Sequence, residues 1–128
     1  MNLLLDTHYL LWAAFDQKRV EGATRRMLTD PANTLWFSVV SIWEVATKRA
    51  LDRPEFRADP GVLRAGLLAS GYQELAVEGR HVLPLAALPR LHGDPFDRLL
   101  VAQAMAEGMR LVTADARVAA YGGPVLKV

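Results

Sequence analysis

Four carboxylates stand where an apolar, strand-like segment gives way to a helix-like one: Asp6, Glu44, Asp97 and Asp115. If the strands are parallel, their carboxyl ends and the starts of the following helices lie along one rim of the sheet. Acids gathered there from distant parts of the chain would form a single anionic pocket. Carboxylate oxygens suit a hard divalent cation such as Mg²⁺. These residues therefore indicate metal-dependent catalysis.

The elements that must position these acids are short apolar runs that alternate with longer helical patterns. We predict strands at 2–5, 34–38, 72–77, 110–113 and, near the end of the chain, 125–127. We predict helices at 7–15, 18–28, 41–51, 62–70, 79–88, 95–107 and 116–121. Strands separated by helices imply right-handed crossovers and a mainly parallel sheet of about four to five strands, flanked by helices. The prediction is one α/β domain over residues 1–128.

Composition narrows the class of protein. With 128 residues, 52% hydrophobic and 23% charged, the chain can bury one sizeable core and is not disordered. The net charge of +1 includes paired basic residues such as Arg25-Arg26, which are compatible with nucleic acid without requiring it. The absence of cysteine excludes disulfides, thiol catalysis and cysteine-ligated zinc. Neither a secretory signal nor a membrane span is apparent, so a reducing cytoplasm is the expected location.

Each acid also has an ordinary explanation as a helix cap. Ser41 and Glu44 match the S-x-x-E capping box, in which Glu44 bonds back to the backbone of Ser41. Asp94 is a natural N-cap before Pro95, and Asp97 would be favoured by the helix dipole. Caps need not converge, however, whereas the predicted topology brings these helix starts to one rim.

Asp6 is the sharpest case, because it directly follows an apolar strand that should be central and buried. A buried, unpaired carboxylate is costly, so it needs a cation, hydrogen-bond donors or a proton. No Lys or Arg is adjacent to Asp6 in sequence. A metal ion is the simplest partner, and an Arg from a distant part of the chain is the alternative.

At these residues the chain resembles the PIN-domain ribonucleases, specifically the VapC-type toxins of bacterial toxin–antitoxin pairs. The similar segments appear in the family's order and approximate spacing, and they span nearly the whole chain. They are Leu4-Leu5-Asp6-Thr7-His8, Ser41-Ile42-Trp43-Glu44-Val45, Asp94-Pro95-Phe96-Asp97-Arg98-Leu99 and Leu111-Val112-Thr113-Ala114-Asp115.

The resemblance implies an acidic active site made of the same four carboxylates. Asp6 and Asp97 would be the principal ligands of Mg²⁺ or Mn²⁺, and Glu44 and Asp115 would coordinate directly or through water. The implied reaction is hydrolysis of RNA phosphodiester bonds, with water activated by one or two metal ions, leaving a 5′-phosphate and a 3′-hydroxyl. The implied partners are RNA, a cognate VapB-type antitoxin and a second copy of the chain in a homodimer.

Two further residues gain a role from the resemblance. Thr113 matches the family's hydroxyl residue, which orients a carboxylate by hydrogen bonding. Arg98, next to Asp97, would contact substrate phosphate or form a structural ion pair. His8, His81 and His92 show no pattern that suggests joint metal binding, and we do not expect them to be ligands.

Two alternatives remain at the level of sequence. A noncatalytic α/β regulatory module could hold Mg²⁺ structurally, as receiver-like folds do, but Leu111-Val112-Thr113 has no adjacent Lys of the kind expected there. An acid-cluster phosphatase would need a second Asp two residues after Asp6, where this chain has His8. Metal-dependent cleavage of RNA or of a small phosphate ester would discriminate among the three.

Overall fold

The apolar run near the start of the chain forms the central strand of a parallel sheet. In a computed structural model, which describes residues 1–128, β1 (Asn2–Leu5) pairs with β2 (Thr34–Ser38) and with β4 (Arg110–Thr113). Strand β3 (Gln73–Leu75) lies beyond β2, and β5 (Val125–Lys127) lies beyond β4. All pairs are parallel, and the strand order is β3-β2-β1-β4-β5. The predicted α/β fold with a mainly parallel sheet is confirmed.

Helices cover both faces of this sheet. They are α1 (Thr7–Phe15), α2 (Gly22–Thr29), α3 (Val39–Ala50), α4 (Pro60–Ala69), α5 (Gly79–Val82), α6 (Pro95–Glu107) and α7 (Ala116–Ala119). Short 3₁₀ turns lie at Gln17–Arg19 and Leu83–Ala86. None of the helices is both long enough and apolar enough to cross a lipid bilayer.

The alternation of side chains along β1 divides the core into two layers. Leu3 and Leu5 point to the face covered by α1, α3 and α4, where they share a cluster with Leu63. Leu4 points to the opposite face and packs in a cluster with Leu100 of α6. All of these side chains are buried. A strand covered on both faces must be apolar throughout, which explains the uninterrupted leucine run.

Two predicted helices are broken in the structure. The segment 18–28 divides at Val20, which is buried with an extended backbone (φ −100°, ψ 105°), and the helix restarts at Gly22. The segment 79–88 divides into α5 and a 3₁₀ turn that has Pro84 near its start. Proline lacks the amide hydrogen that would continue the α-helical bonding pattern. The third strand is also shorter than the predicted 72–77, and covers only Gln73–Leu75.

Two helices begin earlier than predicted because of their caps. The Ser38 hydroxyl accepts a hydrogen bond from the Val40 amide and starts α3 at Val39. Asp59 caps α4 by accepting from two backbone amides, and Pro60 occupies the first helical position. Side-chain oxygens at these positions satisfy amides that have no partner within the helix.

Candidate active site

The four acids predicted from the sequence lie at the carboxyl rim of the sheet. Asp6 directly follows β1, and Asp115 lies two residues after β4. Asp97 lies in the first turn of α6, and Glu44 lies in α3, the helix that follows β2. Chain connections leave β1 and β4 in opposite directions across the sheet, and crevices form at such a switch point. The crevice here has a volume of about 270 Å³, and its lining includes Glu44, Asp97 and Asp115.

Asp6 is only 4% exposed and is not part of the crevice lining, but it is near enough to Asp97 that, in addition to burial, its charge raises the pKa of that carboxyl. Asp6 Oδ1 accepts from the Tyr9 amide at 3.0 Å, which makes Asp6 the N-cap of α1. Its Oδ2 accepts from the Thr113 hydroxyl at 2.6 Å, and Thr113 Oγ1 accepts from the Asp115 amide at 3.0 Å. Burial raises the pKa of Asp6 despite these two hydrogen bonds, which act in the opposite direction. Thr113 thus joins the ends of β1 and β4 at the site.

Glu44 is buried, and both of its oxygens have partners. Oε1 accepts from the Thr7 hydroxyl at 2.5 Å, and Oε2 lies 2.5 Å from Lys48 Nζ, one helical turn further along α3. The same ammonium lies 3.1 Å from Asp94 Oδ2. Burial alone would lower the pKa of Lys48, but the two carboxylates outweigh it and hold that pKa above its usual value. Lys48 therefore carries its positive charge at the edge of the crevice.

The predicted capping box at the start of α3 is wrong. Glu44 accepts from Thr7 and Lys48, and it makes no bond back to the backbone of Ser41. The N-cap is Ser38, three residues earlier. Ser41 is instead buried inside the first turn, 2.9 Å from the Thr7 hydroxyl. Because Glu44 does not bond to the backbone of Ser41, its carboxylate can face the crevice.

Asp97 has the most perturbed environment among the acids that line the crevice. Burial, reinforced by the charges of Asp94 and Glu44, raises the pKa of Asp97 from an ordinary value of 3.8 to about 6. His92 Nε2 lies 2.8 Å from Asp97 Oδ2 and 3.8 Å from Asp115 Oδ2. The imidazole thus bridges two of the acids and orients the carboxylate of Asp97.

Asp94 and Asp115 combine the capping role with a place in the crevice. Asp94 Oδ1 accepts from the Phe96 and Asp97 amides at the start of α6. Asp115 accepts from the Arg117 amide at 2.8 Å, and the Arg117 guanidinium lies 3.3 Å from its other oxygen. Burial would raise the pKa of both carboxyls, but Lys48 beside Asp94 and Arg117 beside Asp115, with these amides, lower them. Asp94 and Asp115 therefore cap their helices and line the crevice at the same time.

Arg98 forms no ion pair, which was one of the two roles considered for it, and its contact with substrate phosphate stays a prediction. Its guanidinium donates to the carbonyl oxygens of Leu85, Leu88 and Pro89 and to the hydroxyl of Tyr121. No carboxylate lies within ion-pair distance, and the side chain is not part of the crevice lining. Arg98 instead anchors the segment that precedes α6 and thereby helps to place Asp97.

The donor set of the crevice fits a hard divalent cation. Its acids supply carboxylate oxygens, the ligands that Mg²⁺ and Mn²⁺ favour. Asp6 and Asp97 make no ion pair with Lys or Arg, and the pKa of each is raised by burial. His92, Asp97 and Asp115 also offer ligand atoms that all lie within 4.8 Å of one another. Two poorly solvated acids without a Lys or Arg partner are a chemically suitable place for a metal ion.

Lys48 and His92 contact the acids of the crevice, and neither was predicted as part of the site. Lys48 lies four residues after Glu44, so helical periodicity alone places both on one face of α3, and this signal was available in the sequence. His92 reaches Asp97 and Asp115 from an irregular segment, and no periodic pattern marks it. The expectation that His92 is not a metal ligand stays a prediction.

Comparison with protein families matches residues 3–124 to the PIN domain. The chain belongs to the PIN-domain family. A curated relative, "Ribonuclease VapC22" of Mycobacterium tuberculosis, is 29% identical over 124 residues, which cover 96% of this chain and 94% of the relative. The match thus extends over the segments that carry all four acids.

Solved structures support the same fold. The chain is similar to a chain in the crystal structure of VapBC2 from Rickettsia felis bound to a DNA fragment from their promoter, with a TM-score of 0.72. It is also similar to a chain in the structure of VapBC-1 from nontypeable Haemophilus influenzae, with a TM-score of 0.68. Both are 16% identical and cover 99% of this chain and 98% of theirs. At this identity the likeness establishes the fold.

Proposed function

We propose that this protein is a VapC-type, metal-dependent ribonuclease that acts as the toxin of a toxin–antitoxin pair. The observation that carries the proposal is the convergence of Asp6, Glu44, Asp97 and Asp115 at one crevice of a PIN domain. The Mycobacterium tuberculosis relative is itself named a ribonuclease. RNA in the cytoplasm is the substrate that this proposal assigns.

The acids divide into ligands and supporting groups. Asp6 and Asp97 would hold Mg²⁺ or Mn²⁺, with Asp115 and Glu44 completing the anionic wall directly or through water. Such an ion, when bound, acidifies water and offsets the charge that develops on the phosphoryl oxygens. The protein contributes the fixed orientation of these carboxylates, which is the part of the chemistry that its own residues perform.

The neighbours of the acids supply that orientation. Thr113 donates to Asp6 and His92 contacts Asp97, so each proposed ligand presents its remaining lone pairs in a set direction. Arg53 and Arg117 also line the crevice. Basic side chains beside an anionic pocket offset its repulsion of RNA and would contact the phosphates that flank the scissile bond.

The two alternative functions lose their support. A receiver-like module and an acid-cluster phosphatase each require a residue that the sequence lacks, and the PIN-domain match covers residues 3–124.

The test is cleavage of total cellular RNA by the purified protein with Mg²⁺, with Mn²⁺ or with a chelator. We expect metal-dependent cleavage that leaves 5′-phosphate and 3′-hydroxyl ends. Asp6→Asn and Asp97→Asn should lower the rate roughly a hundredfold or more, because loss of a metal ligand removes several kcal/mol of transition-state stabilisation. Glu44→Gln and Asp115→Asn should lower it less.

The matched control is Asp16→Asn, because Asp16 is exposed and its side chain makes no hydrogen bond. This variant should cleave at the wild-type rate. Cleavage that continues unchanged in chelator, or in either the Asp6 or the Asp97 variant, would contradict the proposal.

We also propose a VapB-type antitoxin and a second copy of the chain as partners. The structural neighbours are VapBC complexes, and α3 leaves Val39 and Trp43 exposed one turn apart, with Trp43 53% exposed. An antitoxin arm that carries Arg or Lys would pair with the crevice carboxylates and block metal binding. Expression of the protein alone should inhibit growth, and the cognate antitoxin should relieve the inhibition. Inhibition by Asp6→Asn at equal abundance would contradict RNA cleavage as its cause.

A further inference from the structure

Lys48 is held in place from several sides. Its Nζ lies 2.5 Å from Glu44 Oε2 and 3.1 Å from Asp94 Oδ2. The same atom lies 4.8 Å from the ring centroid of Phe56 and 5.4 Å from that of Phe96, both of which are buried. Only 19% of the side chain is exposed. Contacts of this kind distinguish a fixed ammonium from the mobile head of a surface lysine.

Glu44 consequently has no oxygen without a partner. The Thr7 hydroxyl occupies Oε1 and the Lys48 ammonium occupies Oε2. A divalent ion bound directly to Glu44 Oε2 would lie beside the Lys48 ammonium and, because like charges repel, would have to displace it. Displacing Lys48 would also leave Asp94 without its cation, because Lys48 is the only basic residue paired with it. The partners of Asp6, by contrast, are an uncharged hydroxyl and a backbone amide, which do not repel a cation.

The remaining charges of the crevice are unevenly distributed. Asp115 already has the guanidinium of Arg117. Asp6 and Asp97 have no Lys or Arg partner. Asp6 and Asp97, which contacts only the imidazole of His92, are therefore the carboxylates of the site without a permanently charged partner. They are the acids at which a divalent ion would meet no ammonium or guanidinium group.

We propose that Lys48 serves as the cation for Glu44 and Asp94, so that the protein binds one divalent ion, held by Asp6 and Asp97. This inference rests on the proposed function and specifies the number of ions that it uses. Lys48 is a positioning residue, because it acts by holding Glu44 and Asp94 and not by contact with the reacting atoms. Glu44 then shapes the crevice without being a direct ligand.

A purely structural ion pair predicts something different. Glu44 and Lys48 are four residues apart on α3, and such a pair stabilises a helix whether or not metal binds nearby. Its removal would change the free energy of unfolding but not the number of ions bound. Metal stoichiometry is therefore the readout that separates the two roles.

The experiment is a titration of the metal-free full-length protein with Mn²⁺. Binding is measured by calorimetry and by the electron paramagnetic resonance signal of free Mn²⁺. The wild type should bind one Mn²⁺ per chain. Lys48→Met, which removes the charge and nearly preserves length, should bind two, because Glu44 and Asp94 are released. Lys48→Arg should restore one. Lys18→Met is the control, since Lys18 is exposed and forms no ion pair, and it should behave as the wild type.

A double variant, Lys48→Met/Glu44→Gln, protects the test against poor folding of Lys48→Met, because it leaves no unpaired buried carboxylate at position 44. It should still bind one Mn²⁺, with a dissociation constant within about threefold of the wild-type value. If Glu44 were a ligand, that constant should instead rise about tenfold or more.

Three outcomes overturn the proposal. They are binding of two Mn²⁺ by the wild type, binding of only one Mn²⁺ by a folded Lys48→Met, and a tenfold weaker affinity for Mn²⁺ in the double variant. RNA cleavage by the same preparations separates the two levels of inference. A wild type that binds one Mn²⁺ but cuts no RNA contradicts only the proposed function. A wild type that cuts RNA and binds two Mn²⁺ contradicts only the role of Lys48.

Discussion

Burial and fixed charge act in opposite directions on the acids of the crevice. The pKa values of Asp6 and Asp97 are raised, chiefly by burial, while those of Asp94 and Asp115 are lowered. The difference arises because the first pair is more deeply buried and has no Lys or Arg partner, whereas Lys48 and Arg117 lie beside the second pair. Single basic residues therefore already separate the carboxyls whose negative charge is stabilised by a neighbour from those that have no such neighbour.

The first prediction concerns the pH dependence of Asp97. Because its pKa is about 6 in the folded state against an ordinary 3.8, folding is favoured most when this group is protonated, below pH 3.8. That contribution is lost as the pH rises through about 6. The measurement is urea unfolding between pH 4 and pH 7.5 in the presence of chelator. As the pH rises over this range, the free energy of unfolding of the wild type should fall, relative to that of Asp97→Asn, by on the order of 1–3 kcal/mol.

Other groups titrate in the wild type and in Asp97→Asn alike, so their contributions cancel when the two proteins are compared. At pH 7 and low salt, metal-free Asp97→Asn should be as stable as the wild type or more stable, as is common when a strained functional site is relaxed. If Asp97 only supported its helix, the variant should instead lose about 0.3–1 kcal/mol. A loss of that size with no dependence on pH would contradict the strained-site interpretation.

The second prediction concerns the buried hydroxyl of Thr113. Thr113→Val removes the donor to Asp6 Oδ2 and the acceptor of the Asp115 amide, so we expect a loss of about 1–3 kcal/mol in urea unfolding. Thr113→Ser keeps both hydrogen bonds and should lose about 0.8 kcal/mol, the value of one buried methyl group. Equal stability of the two variants would show that the hydroxyl contributes little.

At the scale of elements, the starts of helices do two tasks at once. Asp6, Asp94 and Asp115 each cap the helix that they precede, and each also lies at the crevice or close to it. The two tasks are compatible because one carboxylate oxygen accepts the backbone amide and leaves the second for another partner. In α3 the tasks are divided, since Ser38 caps the helix and Glu44 faces the crevice.

The third prediction follows from that division in α3. Ser38→Ala should lower the free energy of unfolding by about 0.5–2 kcal/mol, because Ser38 caps the helix and also donates to Gln103 Oε1 at 2.5 Å. Ser70→Ala is a suitable control, since Ser70 is exposed and its side chain makes no hydrogen bond. Thermal or urea unfolding of both variants checks this, and equal losses would contradict the assignment of Ser38 as the cap.

At the scale of the whole molecule, the strand order creates the crevice. Thr113 and Asp6 are 107 residues apart in sequence and meet because β1 and β4 are neighbours. The site therefore exists only in the folded protein, and any ion that it binds must stabilise the fold by mass action.

The fourth prediction measures this coupling. Mn²⁺ at about a hundred times its dissociation constant should stabilise the wild type by about 2.7 kcal/mol, whereas Asp6→Asn should gain much less. The measurement is thermal unfolding with and without Mn²⁺ at low salt, and Asp16→Asn should show the wild-type shift. An undiminished shift in the Asp6 variant would remove Asp6 from the metal site.

Local patterns in the chain were sufficient for much of the fold. The leucine run before Asp6 predicts a buried central strand, and Pro95 and Gly108 predict the bounds of α6. Local patterns failed where tertiary contacts outweigh helix propensity. Burial of Val20 interrupts a helical pattern, and Ser41 matches a capping box but packs against Thr7.

The sequence by itself determined which acids are available and, through the alternation of strands and helices, that they meet at one rim. Only the tertiary structure decided which charged and polar groups lie beside each acid. Lys48 turns towards Glu44 and Asp94, His92 bridges Asp97 and Asp115, and Arg98 faces carbonyl oxygens away from the crevice. These outcomes depend on distances of a few ångströms between residues far apart in the chain, and a Coulomb interaction or hydrogen bond changes steeply over that range.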